Sequence, residues 1–188
     1  GFGRIGRLVA RMMTQNTGPG NYFRLKGIVI RKSSEDDIYK RASLLLRDSV
    51  HGSFDGTVRV DEENSTLVIN GNPVKVIYAN NPEEVNYSNY NISNPLVIDN
   101  TGVWRDEENL SKHIDSGASK VILTAPAKGN LKNIVYGIND EILEDDDQIL
   151  SAASCTTNAI VPILKSINDE YSIKGGHIET VHAYTNDQ

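Results

Sequence analysis

The feature that most limits the possible folds is a glycine pattern at the start of the chain, Gly1-Phe2-Gly3-Arg4-Ile5-Gly6, which fits G-x-G-x-x-G. In dinucleotide-binding folds the first glycine allows a tight turn, and the second lets the backbone approach a pyrophosphate. The third lets a helix pack closely against a strand, and the N-terminus of that helix faces the phosphates. The pattern alone is weak, because glycines with a purely structural role match it about as often, and the strand that usually confirms it would lie before Gly1, where the sequence begins.

Strand-like and helix-like runs alternate along the chain, which favours parallel α/β winding. Strands are predicted at residues 27–31, 95–99, 121–124, 134–138 and 148–152, and a further strand is predicted to begin at 179–183. Helices are predicted at 7–14, 36–47, 106–116 and 155–171. Three short runs, 57–60, 66–69 and 74–77, are predicted to be antiparallel, with a turn at 70–73. This alternation strengthens the dinucleotide-binding interpretation of the glycines.

Composition argues against several classes of protein. The chain has 188 residues with 19 basic and 25 acidic side chains, and the resulting net charge of −6 disfavours nucleic-acid binding. The longest apolar run, 159–164, is far shorter than the ~20 residues that a membrane-spanning helix needs. A single cysteine forms no internal disulfide, which favours the reducing cytoplasm and leaves the thiol free for chemistry. One cysteine and four scattered histidines also offer no metal-ligand cluster.

The residues at the end of the strand predicted at 27–31 leave open whether the dinucleotide is NAD or NADP. An NAD site usually has an acidic residue ~20 residues after the glycines, where it holds the ribose hydroxyls. Here the strand at 27–31 ends in Arg31-Lys32-Ser33-Ser34. These side chains could receive a 2′-phosphate, which favours NADP or use of both forms. Alternatively Arg31 and Lys32 form a solvated strand end, and Glu35 or Asp36 reaches back to the ribose of NAD.

Cys155 lies at the predicted start of a helix, between Ser154 and Thr156. The helix dipole and the unpaired N–H groups there favour the thiolate, which is the nucleophilic form. The same N–H groups could hold an oxyanion when the thiolate attacks a carbonyl. A lone cysteine is more often a small buried apolar residue, but its place at a helix start among hydroxyls favours a nucleophile.

A nucleophilic cysteine needs a base, and His182 is the best candidate among the histidines. It lies one predicted strand after the cysteine helix, and a strand that returns along a helix can end near the helix start. His113 falls in the middle of a predicted helix among charged residues, so it is expected on the surface.

Four segments resemble glyceraldehyde-3-phosphate dehydrogenase. They are Gly1-Phe2-Gly3-Arg4-Ile5-Gly6-Arg7, Asp48-Ser49-Val50-His51-Gly52, Ala153-Ser154-Cys155-Thr156-Thr157-Asn158 and Thr180-Val181-His182-Ala183. The match runs through essentially the whole chain in the same order, and the cysteine-centred segment is highly specific. The resemblance implies a Rossmann-type dinucleotide-binding domain at 1–153, followed by the start of an α+β catalytic domain at 154–188. The sequence is thus expected to be a piece of a longer protein.

The resemblance also implies an activity, a set of ligands and a role for particular residues. The activity is oxidation of glyceraldehyde 3-phosphate with NAD or NADP and inorganic phosphate to 1,3-bisphosphoglycerate, by a cytoplasmic homotetramer. Cys155 matches the family's nucleophile and His182 its base. Arg4, Ile5, Thr101 and Thr124 match cofactor contacts of the family. Together with the glycine pattern and the strand end described above, they complete the predicted cofactor contacts, which are Gly1, Gly3, Arg4, Ile5, Gly6, Arg31, Lys32, Thr101 and Thr124. The implied substrate and phosphate contacts are Ser154, Thr156 and Thr185.

Two departures from the family pattern leave alternatives open. Arg31-Lys32 stands where NAD-preferring members usually have Asn-Asp, which leaves the choice of cofactor undecided. The ending Asn186-Asp187-Gln188 is similar to the erythrose-4-phosphate branch of the superfamily, so an erythrose-4-phosphate dehydrogenase is the nearest alternative. A dinucleotide-binding or interaction module without activity is the alternative from another class, although the presence of both Cys155 and His182 argues against it.

Overall fold

The computed structural model of the chain describes residues 1–15 and 23–182. Within them, the α-helices are α1 (Arg4–Gln15), α2 (Asp37–Leu46), α3 (Glu107–Asp115) and α4 (Cys155–Tyr171). The strands are β1 (Gly27–Ile30), β2 (Arg47–Asp48), β3 (Gly52–Ser53), β4 (Val58–Asp61), β5 (Thr66–Ile69), β6 (Asn72–Tyr78), β7 (Leu96–Asp99), β8 (Lys120–Leu123) and β9 (Ile149–Ser151). No helix of the described residues is both long and apolar enough to cross a bilayer.

The strands form two main sheets and one short hairpin. The first sheet has the order β1-β6-β5-β4, in which β1 and β6 are parallel and the other pairs are antiparallel. The turn between β5 and β6 places Asn70 and Gly71 at φ 48° and 80°, a geometry that Asn-Gly favours. The second sheet, β7-β8-β9, is entirely parallel. The predicted parallel winding and the predicted antiparallel insertion are therefore both confirmed.

The glycine pattern lies between these two sheets. Phe2 is buried in the same cluster as Ile28 and Ile30 of β1, while Gly1 lies against Asn100 and Thr101 just after β7. Helix α2 packs Ile38, Ala42 and Leu45 into that cluster at helical spacing, as the sequence predicts. A separate cluster around Leu110 and Val121 joins α3 to the second sheet. Packing on both sides thus fixes where the glycines lie.

Three predicted elements differ in the structure. Helix α1 begins at Arg4 rather than Arg7, so Gly6 is inside the helix. Residues 134–138 do not form a strand: 134 and 135 have no regular structure, 136–138 form a turn, and a single bridge joins Asn133 to Ser151. Residues 179–182 have no regular structure, so the strand predicted there is wrong over the described residues, and position 183 lies outside them.

Asparagine side chains explain why 134–138 does not form a strand. The Asn139 side chain accepts a hydrogen bond from the Val135 N–H at 2.8 Å and donates to the Asn133 carbonyl at 3.0 Å. Side chains that bond to nearby backbone in this way compete with a strand ladder and turn the chain. The apolar residues that suggest a strand therefore occupy a turn.

Candidate active site

The glycines form an open cradle at the N-terminus of α1. A Cβ placed on Gly6 would lie 2.3 Å from the carbonyl oxygen of Gly1, so only glycine lets the turn and the helix approach this closely. A Cβ placed on Gly3 would meet nothing within 4 Å, so the space beside Gly3 is free for another molecule. A helix N-terminus facing an open space is suited to a phosphate group. The residues present thus fit the pyrophosphate of a dinucleotide.

The surroundings of the Arg4 and Ile5 side chains do not indicate contact with a phosphate. Arg4 donates to the Ser49 hydroxyl at 3.1 Å and lies 3.6 Å from the Asp48 carboxylate. The side chain of Ile5 is largely exposed. The backbone of these two residues, in the first turn of α1, lies at the cradle.

The ends of β7 and β8 supply the polar wall of the cradle. Asp99 accepts hydrogen bonds from the Thr101 N–H at 2.7 Å and from its hydroxyl at 2.6 Å. The Thr124 hydroxyl donates to the Asn100 side chain at 3.1 Å. A Cβ on Gly1 would lie 2.9 Å from the Thr101 methyl group, so these residues adjoin the glycines. Sequence reasoning missed Asp99 and Asn100, although polar residues at the end of a buried strand were the available signal.

His113 is buried, and the expectation of a surface position is wrong. Its Nε2 lies 3.1 Å from the Asp99 carboxylate, and its ring meets Trp104 edge to face at 6.2 Å between centroids. Burial raises the pKa of Asp99, but the hydrogen bonds from His113 and Thr101 outweigh it, and the pKa is lower than usual. His113 lies on the face of α3 that packs against β8 and is therefore buried. The charged residues around it along the chain did not indicate this packing.

Ser154 begins α4 and places Cys155 in its first turn. The Ser154 hydroxyl accepts a hydrogen bond from the Thr157 N–H at 2.9 Å, as an N-cap does. Cys155 is exposed, and its sulfur lies in the region where the helix N–H groups are unpaired. The helix continues through Pro162 to Tyr171.

Cys155 and His182 are in direct contact. The cysteine Sγ lies 3.2 Å from the histidine Nε2. This hydrogen bond lowers the pKa of the Cys155 thiol, partial burial opposes the change, and the hydroxyl and N–H of Thr156 add to the lowering. The pair lines a groove of about 420 Å³ together with Glu179 and Ile163. The arrangement places a thiol of lowered pKa beside an imidazole, in a groove with room for a small molecule.

Of the remaining predicted site residues, the structure describes Arg31 and Lys32 but not Thr185. Arg31 and Lys32 follow β1 directly and are exposed at its carboxyl end. Thr185 and the segment 186–188 lie outside the described residues, as does position 183.

Two family models match the chain. Residues 1–107 match the NAD binding domain of glyceraldehyde 3-phosphate dehydrogenase, and residues 154–188 match the C-terminal domain of the same enzyme. A glyceraldehyde-3-phosphate dehydrogenase-like protein of Pseudomonas aeruginosa (strain UCBPP-PA14) is 60% identical over the whole chain, which covers 41% of that protein. Glyceraldehyde-3-phosphate dehydrogenases of Thermotoga maritima and Clostridium pasteurianum are 39% and 38% identical over the whole chain, which covers 54% and 53% of them. The chain thus spans about half the length of these curated relatives.

Proposed function

We propose, since the chain belongs to the glyceraldehyde-3-phosphate dehydrogenase family, that it carries the cofactor site and the nucleophile of a phosphorylating aldehyde dehydrogenase. Residues 1–153 form the dinucleotide-binding domain in this proposal, and residues 154–188 begin the catalytic domain. The observation that carries the proposal is the 3.2 Å contact between Cys155 Sγ and His182 Nε2 at the start of α4. It joins a nucleophile to a base within one groove.

Cys155 forms and breaks the covalent bond to the substrate. The thiolate attacks the aldehyde carbon, and the carbonyl electron pair moves to oxygen, which takes a proton from His182 to give a thiohemiacetal. The N–H groups at the start of α4 stabilise the negative charge as it develops on that oxygen. His182 is then neutral and ready to act as a base.

His182 next takes back the hydroxyl proton while the hydride leaves the same carbon, so that a thioester forms on Cys155. A bound oxidised nicotinamide supplies the acceptor for that hydride. An oxygen of inorganic phosphate then attacks the thioester carbon and expels the Cys155 thiolate, which yields an acyl phosphate. With glyceraldehyde 3-phosphate as the aldehyde, the product is 1,3-bisphosphoglycerate.

The residues that would hold the dinucleotide are those of the cradle. The backbone at Gly3, Arg4 and Ile5 would receive the pyrophosphate, and Thr101 and Thr124 would line the nicotinamide side of the cleft. Ser154 and Thr156 flank the nucleophile and would contact substrate or phosphate, as would Thr185. A homotetramer in the reducing cytoplasm, where Cys155 stays a thiol, completes the proposal.

The test is an absorbance assay at 340 nm with the full-length protein, glyceraldehyde 3-phosphate and either NAD or NADP, with and without inorganic phosphate. Phosphate-dependent turnover is the expected result, because the thioester needs phosphate as its acceptor. Arsenate in place of phosphate should also support turnover. Turnover of erythrose 4-phosphate but not of glyceraldehyde 3-phosphate would assign the protein to the erythrose-4-phosphate branch of the superfamily.

A second measurement separates an enzyme from an inactive binding module. Without phosphate, one equivalent of reduced cofactor per active site should form in a burst as Cys155 is acylated. Cofactor binding with no burst for either aldehyde would overturn the proposed chemistry and leave a dinucleotide-binding role.

A further inference from the structure

The carboxyl end of β1 presents two cations beside the cofactor cradle. Arg31 and Lys32 follow Ile30 directly and are exposed. Neither forms an ion pair with any carboxylate in the described ranges, whereas Arg4, Arg7 and Arg41 each pair with an aspartate. The Nζ of Lys32 lies 5.8 Å from the centroid of the Tyr78 ring, which holds the ammonium over the sheet edge. Their charges are thus available to a ligand.

The buried carboxylate at the start of α2 is already used within the protein. Asp37 is fully buried, accepts a hydrogen bond from the Ser33 hydroxyl, and binds both nitrogens of the Arg41 fork at 3.2 and 3.3 Å. These bonds satisfy its oxygens. Asp37 therefore has little capacity left to accept hydrogen bonds from a ribose.

This strand end lies where the adenosine ribose of a dinucleotide would be held. Tyr78 ends β6 and pairs in register with Ile30, and Phe2 of the glycine pattern packs in the same cluster as Ile30. In dinucleotide-binding folds the end of the strand that follows the glycine helix carries the ribose contact. A carboxylate there selects the free 2′-hydroxyl, and arginine accommodates a 2′-phosphate.

We propose that Arg31 and Lys32 form a subsite for the 2′-phosphate, so that the protein binds NADP(H) in preference to NAD(H). This inference rests on the proposed function only in requiring that a dinucleotide binds, and not on the chemistry of Cys155. The Arg31 guanidinium provides paired donors to the phosphate oxygens, and Lys32 adds a second positive charge held by Tyr78. Together they balance most of the charge of a phosphate dianion.

Two other acidic residues lie close by. Glu35 and Asp36 are exposed, and Asp36 precedes α2 without a side-chain capping bond. If either reached the ribose it would select NAD, so these residues define the competing outcome. They stand four and five residues beyond Arg31, at the far side of a turn, whereas the two cations adjoin the strand itself.

The experiment is equilibrium binding to the full-length protein, followed by the fluorescence of NADPH and NADH. We expect NADPH to bind at least about tenfold more tightly than NADH at low salt, which corresponds to about 1.4 kcal/mol. Adenosine 2′,5′-bisphosphate should displace NADPH better than AMP does, because it carries the same 2′-phosphate. Added salt should weaken NADPH binding more than NADH binding.

Variants locate the effect. Arg31→Ala and Lys32→Ala should each weaken NADPH several-fold and leave NADH within about twofold, so NADH binding also reports that the variants fold. Arg59→Ala is the matched control, because Arg59 is exposed on β4 at the opposite edge of the same sheet. It should change neither affinity.

Each other result has a separate meaning. Tighter binding of NADH, or an unchanged preference in both variants, overturns the 2′-phosphate subsite and leaves the proposed enzyme standing. Loss of NADH affinity in Glu35→Gln or Asp36→Asn assigns the ribose to those residues. NADPH preference without a burst of reduced cofactor keeps the subsite and overturns the chemistry instead.

Discussion

The two halves of the proposed active site are supported in different ways. The cofactor cradle lies between two packed clusters in which Leu45, Leu67, Ile69 and Leu110 have no exposed surface. Within the part of the chain that the structure describes, helix α4, which carries the proposed nucleophile, has no buried residue, and its Ile163 is 55% exposed. The cradle is therefore held by long-range packing, and the cysteine by the Ser154 N-cap and by hydrogen bonds with His182 and Thr156.

The difference shows that the shape of the cradle and the reactivity of the Cys155 thiol depend on different parts of the molecule. The cradle requires backbones to approach closely, and only packing from both sheets can hold Gly1 and Gly6 in place. Lowering the pKa of a thiol requires only neighbours within hydrogen-bond distance, and His182 and Thr156 supply these locally. Changes at Cys155 should therefore affect chemistry alone, and changes in the clusters should affect the whole domain.

Cys155→Ser should have the largest effect on activity. A serine hydroxyl is not ionised near neutral pH, so turnover of the full-length protein should fall at least about 10⁴-fold. The affinity for reduced cofactor, measured by fluorescence, should stay within about twofold, because the cradle does not depend on the sulfur. Loss of cofactor affinity in this variant would contradict the separation of the two halves.

Leu45→Ala tests the support of the cradle. The residue is fully buried, so we expect a loss of about 2–5 kcal/mol in the free energy of unfolding of the 188-residue chain, measured in urea by circular dichroism. Ile163→Ala on α4 is the matched control and should lose less than about 1 kcal/mol, because more than half of that side chain is exposed. Equal losses would mean that α4 is covered in solution.

The features that were predicted correctly from the sequence are those with a short, recognisable residue pattern. The apolar spacing in α2, the Asn-Gly turn between β5 and β6, and the glycine pattern all describe local geometry, and the structure agrees with each. The family inferred from four short segments is also confirmed. The spacing in α2 and the turn succeed because each depends on neighbours within a few residues, whereas the glycine pattern is short in sequence but is held in place by packing from both sheets.

The failures have two causes, a side chain whose partner is distant in sequence and side chains that bond to nearby backbone. His113 was expected in solvent, but its partner Asp99 lies on β7, and no local pattern joins the two residues. Residues 134–138 have strand-like composition, yet Asn133 and Asn139 fold the segment through their side chains. The predicted strand at 179–182 is irregular, although the structure still places His182 at Cys155. The catalytic roles of that pair stay predictions until activity is measured.

His182→Asn tests whether local contacts suffice to activate the thiol. The contact lowers the pKa of Cys155, so the thiolate should persist at pH values below the ordinary thiol range of about 8.5. Removing the imidazole raises the pKa, and alkylation by iodoacetamide at pH 7 should become several-fold slower. At a pH well above the ordinary thiol range, where the thiol of both proteins is ionised, the rates should converge. Equal rates at pH 7 would mean that Thr156 and the helix start suffice.

Gly3→Ala should have the smallest effect and is the most selective test of the cradle. The added methyl group would meet no protein atom within 4 Å but would occupy the space proposed for the pyrophosphate. Dinucleotide affinity should therefore fall about fivefold, or ~1 kcal/mol. The free energy of unfolding should fall by no more than about 1 kcal/mol, the cost of a poorer N-cap, because alanine caps a helix worse than glycine. Gly175→Ala is the control on the other half of the site, because its Cβ also meets nothing within 4 Å. It should leave dinucleotide affinity unchanged, and an equal loss in both variants would show that the space beside Gly3 is not where the cofactor binds.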